Sequence, residues 1–367
     1  MLIAKMAHHT EINCLDYSRA QLRQLRQQHF YCPACHRQVV LKVGHYLQPH
    51  FAHQQRTACL TAEGETAEHL AGKALLGELC RKQQLRFRYE VYLPALQQRP
   101  DLLIYHHKET IALEFQCSPI SVAKIRARTQ GYRQAGYRVI WILGQRYQNQ
   151  PWTQGQHAFL QYLPAWGWFQ WHLQVRTKRL LLIHHITHQG YPQQMRWQVN
   201  LFSDLKRIKK PLRQGLSYRQ CIKESTSLYR QLNQAAPKLL SVQQSCYLRG
   251  HHLAGAPVCC HSPAMPPINR QASLLLNVEL LLLCEQLGKV TLNQLENFCQ
   301  QRQAAFYQLP LFSHQNWALY WCCLVLKRWV SSGVLSKQGH NWYFLKAHWF
   351  QDYFSKVTAL KQLLSKR

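Results

Sequence analysis

Between residues 32 and 59 the chain spaces cysteine and histidine as a metal site would: Cys32-Pro-Ala-Cys35, then His50-Phe-Ala-His53, then Cys59. A C-x2-C pair grips one ion through two thiolates, and an H-x2-H beyond a hairpin completes a tetrahedron. Five candidates compete for four places, and spacing does not choose between His50 and Cys59. Ordinary buried thiols and satisfied histidines are the bland alternative, which this spacing disfavours. Four protein ligands leave no open position, so the expected ion is a structural zinc.

A second constellation has a different chemistry. The stretch RPDLLIYHHKETIALEFQC parses as strand, turn, strand: Asp101 to Tyr105, a polar turn of His106 to Glu109, then Thr110 to Cys117. Ile111, Leu113, Phe115 and Cys117 share one face of the second strand, while Ala112, Glu114 and Gln116 share the other. A four-residue turn sets Tyr105 opposite Thr110 and Asp101 opposite Glu114, with Cβ atoms roughly 4.5–5.5 Å apart. Two carboxylates so placed repel unless a cation lies between them, and hard oxygen ligands point to Mg²⁺ or Mn²⁺. That is the layout of a metal-dependent phosphodiesterase, with a third group on the same strand to orient water. A solvent-facing hairpin with incidental charges is the alternative.

These residues need elements to hold them. Leu70, Ala74, Leu75 and Leu79 follow helical spacing ahead of the hairpin, with acids in the first turn. Glu65, His69 and Lys73 lie on one stripe of that helix, with Glu68 alongside; taken alone, the stripe reads as a solvated charged face. After the hairpin, Ser121 is a plausible N-cap of a basic helix carrying Lys124, Arg126, Arg128 and Arg133. Lysines and arginines beside a carboxylate pair are where a phosphate backbone is gripped. The strand YRVIWIL follows, then the Gln-rich GQRYQNQPWTQGQ (144–156), which is the expected domain boundary.

Bulk composition sets the partner. The 367 residues hold 45 Lys and Arg against 16 Asp and Glu, a net charge of +29, which implies a polyanion such as nucleic acid. Ten of the 16 acids precede residue 115 and none lies between Phe115 and Ser203, where ten cations sit. No apolar run reaches membrane length, and the first residues lack the charged-then-apolar layout of an export signal. Fourteen cysteines without such a signal read as reduced thiols and metal ligands, and the expected compartment is the cytoplasm.

Beyond residue 160 the sequence offers the hairpin-like WGWFQWHLQVRTKRLLLIHHITH and the basic patch LKRIKKPLRQG. Helices follow at Leu274–Leu287, Leu292–Gln300 and Trp317–Ser331, then a hairpin around Gly339. Three helices and a two-stranded wing are compatible with a winged-helix-like DNA-binding domain, and equally with helical scaffolding. Cys259-Cys260-His261, and His184, His185 and His188, read as structural residues rather than ligands.

The ordered run CPAC…HFAH…C…GETAEHLAGK…RPD…ALEFQCSPIS…RTQGYR…GYRVIWILG, over roughly residues 30 to 145, resembles the competence protein CoiA family. The resemblance implies an α/β fold: a restriction-endonuclease-like PD-(D/E)XK core behind a small zinc-binding module, with a basic, mostly helical C-terminal domain. The implied boundaries are 1–60, 61–150 and 151–367. It implies a DNA endonuclease dependent on Mg²⁺ or Mn²⁺, acting on single-stranded or branched DNA in natural transformation and RecA-dependent recombination. A possible homodimer fits two cuts on branched DNA. The alternative is an inactive nuclease fold that binds DNA or the recombinase.

By position, Pro100-Asp101 supplies the "PD" and Glu114-Phe115-Gln116 the "(D/E)XK". Glu68 is the helical acid, with Glu65 as its understudy, and His69 joins the four helix cations in contacting nucleic acid. Gln116 stands where the superfamily carries lysine. An amide positions water but adds no charge, so another lysine is expected to compensate: Lys73 first, Lys124 second.

Overall fold

The computed structural model describes residues 1–8, 10–54, 59, 65–148, 152–209, 215–312 and 316–366. The expected boundary stretch 144–156 and the basic patch LKRIKKPLRQG each fall partly outside the described residues. The chain forms two compact units, one of residues 1–161, 169–183 and 199–208, the other of residues 162–168, 184–198 and 209–367.

The first unit opens with β1 (Ile3–Met6), β2 (Glu11–Asn13), α1 (Arg19–Gln24), β3 (Phe30–Tyr31), β4 (Gln38–Lys42) and β5 (His50–His53). These strands form one sheet in the order β2-β1-β3-β4-β5. Leu22, Phe30, Leu41 and Phe51 make its core together with Cys32. The stretch QVVLKVGHYL (38–47), expected to form a hairpin between the two ligand pairs, supplies only its first strand: β4 runs antiparallel to β5, which is the HFAH segment itself, with Val39 opposite His53 and Lys42 opposite His50.

Next come α2 (Ala67–Lys82), β6 (Arg86–Tyr89), β7 (Leu102–His106), β8 (Glu109–Gln116), α3 (Val122–Gln134) and β9 (Arg138–Leu143). Thr66 caps α2 by accepting from the His69 N–H, and Ser121 caps α3 by accepting from the Lys124 N–H. A short helix α4 (Gln154–His157) and strands β10 (Gln161–Leu163), β11 (Gly167–Gln174), β12 (Arg179–Gln189) and β13 (Gln194–Leu201) follow. The sheet runs β13-β12-β11-β9-β8-β7-β6, with β10 on β11. It therefore does not stop near residue 150: β11 pairs in parallel with β9, Trp171 lying beside Ile142, and after the short α4 the chain from 161 to 201 is built of strands rather than helices.

Alternation along β8 decides which helix covers which face. Phe115 meets α2 so closely that a Cβ on Gly72 would lie 2.0 Å from its ring. On the opposite face Ala112 is sealed with Leu103 and with Tyr132 of α3. One strand thus sits between two helices, the usual arrangement of a parallel β8–β9 pair joined by a crossover helix.

The second unit holds α5 (Tyr218–Asn233), α6 (Pro237–Tyr247), α7 (Ser273–Leu287), β14 (Lys289–Val290), α8 (Leu292–Gln301), α9 (Trp317–Ser331), β15 (Leu335–Gln338), β16 (Asn341–Phe344) and α10 (Tyr353–Ser365). Its three strands order as β14-β16-β15. Buried His261 bonds Glu224 through Nδ1 at 2.6 Å and Lys356 through Nε2 at 2.8 Å, a structural role as the sequence indicates. No described helix is long and apolar enough to cross a membrane.

Candidate functional site

Two sites emerge in the first unit. In the smaller one, Cys32, Cys35, His53 and Cys59 bring their donor atoms within 4.8 Å of one another. Cys35 Sγ lies 3.3 Å from His53 Nε2. Three thiols and an imidazole fit a tetrahedral metal ion, zinc being the natural choice. His50 is the candidate left out: its Nδ1 bonds the Gln48 carbonyl at 2.9 Å. Positions 50 and 53 are three apart on β5, so their side chains leave opposite faces and only one turns to the cysteines.

The larger site is a cavity of about 310 Å³ at the end of the β7–β8 pair. The hairpin turns through two residues, His107 and Lys108, rather than four, since His106 pairs with Glu109. The register is nevertheless the one expected. Tyr105 lies opposite Thr110 and Leu102 opposite Leu113, which sets Asp101 across from Glu114 at the next step. Both carboxyls are buried and both line the cavity.

Asp101 is held from the α2 side. Its Oδ2 accepts from the Phe115 N–H at 2.8 Å and lies 3.1 Å from His69 Nε2. Burial pushes this carboxyl up, but His69, Lys73 and the Phe115 N–H outweigh it and hold the pKa at about 2. The His69 imidazole is in turn raised: its burial opposes the charge and the Asp101 carboxylate overcomes that. Its ring stacks on Phe115 with centroids 5.9 Å apart.

Glu114 is held from the α3 side, where its Oε1 lies 2.5 Å from both Arg128 and the Tyr132 hydroxyl. Here burial wins: despite Arg128, the carboxyl rises to about 7, with Asp101 adding to the rise. The two acids therefore differ: Asp101 is held ionised, while Glu114 is pushed toward its protonated form. Asp101 Oδ1 and Glu114 Oε2 are left for a cation. Two carboxylates with water and phosphate completing the shell suit Mg²⁺ or Mn²⁺, which keep several non-protein ligands. Among the described residues no third carboxylate joins them within 4.8 Å.

The remaining site residues divide. Gln116 lines the cavity and donates its Nε2 to the Ser118 carbonyl at 2.7 Å. Lys124 lines it from the first turn of α3. Arg126 and Arg133 are exposed along α3 and do not reach it. Arg128, expected among the DNA-gripping cations, is instead spent on Glu114. Of the two acids expected on the helix, Glu65 lies just ahead of the Thr66 cap and lines the cavity, while Glu68 is in the first turn and its Oε1 accepts from the Gln145 N–H at 2.6 Å.

Lys73 does not come to the cavity. Its ammonium is fully buried between Glu65, at 2.7 Å, and Glu90. The Glu65–His69–Lys73 stripe, read alone as a solvated face, is thus turned inward. Two opposing carboxylates fix this cation, and Glu90 Oε2 also accepts the Leu2 N–H at 2.7 Å and the Ile3 N–H at 3.2 Å. Arg99 adds a further cation, 3.8 Å from Glu65, and lines the cavity. Sequence reasoning did not single out Glu90, Arg99 or Tyr132. Only Tyr132 carried a local signal, since it stands one helical turn after Arg128.

Comparison with known proteins follows the same division. Residues 7–62 match the family profile described as the N-terminal domain of competence protein CoiA, and residues 65–210 match its nuclease-like domain. Competence protein CoiA of Bacillus subtilis (strain 168) is 34% identical over 125 residues, which span 34% of this chain and 34% of that protein. No solved structure matches. With both domain profiles matched in order, the chain belongs to the competence protein CoiA family.

Proposed function

We propose that this protein is a divalent-metal-dependent DNA endonuclease of the cytoplasm, acting on single-stranded or branched DNA during natural transformation and RecA-dependent recombination. The observation that supports it most is the pairing of Asp101 with Glu114 in one cavity bordered by Lys124, Arg128 and Arg99. A bound Mg²⁺ or Mn²⁺ would polarise the scissile phosphate and acidify a water. Asp101, ionised at any physiological pH, supplies fixed charge. Glu114 contributes its second charge only when it gives up its proton. Gln116 has its amide N–H on Ser118, so its carbonyl oxygen is the atom that orients water. Lys124 offsets charge on the phosphate, the role expected of Lys73.

Asp101→Asn tests this reading, with labelled single-stranded and branched DNA as substrates and with or without Mg²⁺ or Mn²⁺. Cleavage should disappear while DNA affinity and the melting temperature persist; cleavage at the wild-type rate would refute the site.

One observation favours a second reading, an inactive fold that holds DNA or the recombinase. Arg128 already neutralises Glu114, and the expected substitute lysine is locked away. Metal-independent binding without cleavage by the wild type, on every substrate, is the outcome that selects it.

A further inference from the structure

Between β4 and β5 of the Cys3His module, residues 43–49 (VGHYLQP) form an irregular seven-residue loop. Neither the metal ligands nor the cavity uses it. At its tip the Tyr46 side chain is 99% exposed, and Leu47 beside it is exposed as well. We propose that Tyr46 is a stacking platform for the unpaired bases of single-stranded DNA, presented by a loop that the module holds rigid.

Three observations carry this. First, the loop is pinned while its tip stands in water. Arg19 of α1 donates Nη1 to the Gly44 carbonyl and Nη2 to the Leu47 carbonyl, the latter at 3.0 Å. Arg26 donates to the Val43 carbonyl at 2.6 Å, and His50 Nδ1 bonds the Gln48 carbonyl at 2.9 Å. Pro49 restricts the chain further. Surface loops are ordinarily the mobile parts of a fold, and these bonds flank Tyr46 on both sides. A ring so displayed adds nothing to the core, and its apolar face and hydroxyl are open to a partner. Second, the charge around the ring has one sign. From Tyr17 to Ala62 the sequence has six Lys and Arg and no Asp or Glu. Arg19 and Arg26 spend their N–H groups on neutral carbonyls, so both charges remain at the base of the loop. Lys42 is exposed at the end of β4.

Third, the loop leads to the cavity. β5 begins at His50, four residues after Tyr46, a span of at most about 14 Å. Burial holds the His50 imidazole below its ordinary value, and the Glu65 carboxylate of the cavity wall acts against it. An aromatic ring among cations suits a single strand, whose phosphates meet the charges while a base lies on the ring. Inside a duplex each base is already covered on both faces by its neighbours, so the ring selects unpaired bases. The choice of DNA rests on the function proposed above; the stacking does not.

The test measures affinity of the full chain for a labelled single strand, the matching duplex and an abasic strand of equal length. Fluorescence anisotropy over a salt series, without added divalent metal, supplies the readout. In Tyr46→Ala, single-strand binding should weaken roughly 5- to 100-fold with its salt slope unchanged, because the ring carries no charge. Duplex and abasic-strand affinity should stay at the wild-type value, and Tyr46→Trp should bind the single strand at least as tightly as the wild type. Unchanged single-strand affinity in Tyr46→Ala overturns the proposal; altered self-association by sedimentation would then assign the loop to a contact between copies of the chain. Equal loss on all three probes, or loss in Tyr46→Trp as well, also overturns it. Asp101→Asn should bind as the wild type does here, so failure of this proposal and failure of the cleavage reading are distinguishable.

Discussion

At the scale of the residue, Asp101 and Glu114 show how one pair of like groups acquires two characters. The pair faces across adjacent strands, yet each carboxyl reaches for a different helix. Asp101 gains a backbone N–H and an imidazole that outweigh its burial; Glu114 gains a guanidinium and a phenol hydroxyl that do not. A cation entering the site must displace the Glu114 proton below pH of about 7, whereas Asp101 adds no such competition. Apparent Mn²⁺ affinity, by titration calorimetry, should therefore rise with pH up to about 7 and then level. Compared well below a pH of about 7, where Glu114 holds its proton, Glu114→Gln should release fewer protons per ion, by up to about one. Equal proton release in both proteins would contradict the assignment. The inward turn of Lys73 belongs to the same scale. A stripe of Glu, His and Lys looks identical on a solvated and a buried helix face, and only the partners arriving from Glu90 and Asp101 distinguish them.

At the scale of the element, α2 is placed by what it lacks. Its close approach to β8 and β6 depends on Gly72 and Gly77, where a Cβ would lie 2.0 Å from Phe115 and 1.6 Å from the Tyr89 hydroxyl. Gly72→Ala improves helix propensity, yet it should destabilise the protein by about 1–3 kcal/mol through overpacking. A shift of the urea midpoint toward lower concentration is the expected result; an unchanged or higher midpoint would show that the contact yields. Because His69 sits three residues before Gly72 and bonds Asp101, the same change should also weaken metal binding at the cavity. The β7–β8 hairpin teaches a related lesson. The turn is two residues shorter than the sequence reading drew it, yet the facing pairs are the same, since shortening by one from each side preserves the register.

At the scale of the whole molecule, the Cys3His site closes a small module whose core already includes Cys32 and packs Cys35 and Cys59 against it. Metal binding and folding should be linked there. Removing the ion with a chelator should make Cys32, Cys35 and Cys59 reactive toward a thiol reagent and expose the first 60 residues to limited proteolysis. Thiols and peptides of residues 67–143 should remain protected longer. Identical reactivity before and after chelation would show that no metal was held.

The sequence by itself determined the metal-ligand spacing, the β7–β8 register, the basic helix and the family, because each follows from short-range rules: knuckle spacing, strand alternation, helical periodicity. It also placed α7, α8, α9 and the wing to within a residue or so, since strongly apolar or turn-bounded segments carry their own signal. Tertiary structure alone decided among equivalents. It chose Cys59 over His50, set Glu65 rather than Glu68 on the cavity, withdrew Lys73 behind the wall, and paired Arg128 with Glu114 instead of leaving it for phosphate. It also carried the sheet past residue 150. Each of these depends on partners remote in the chain, and a side chain's charge does not reveal which partner folding will bring to it.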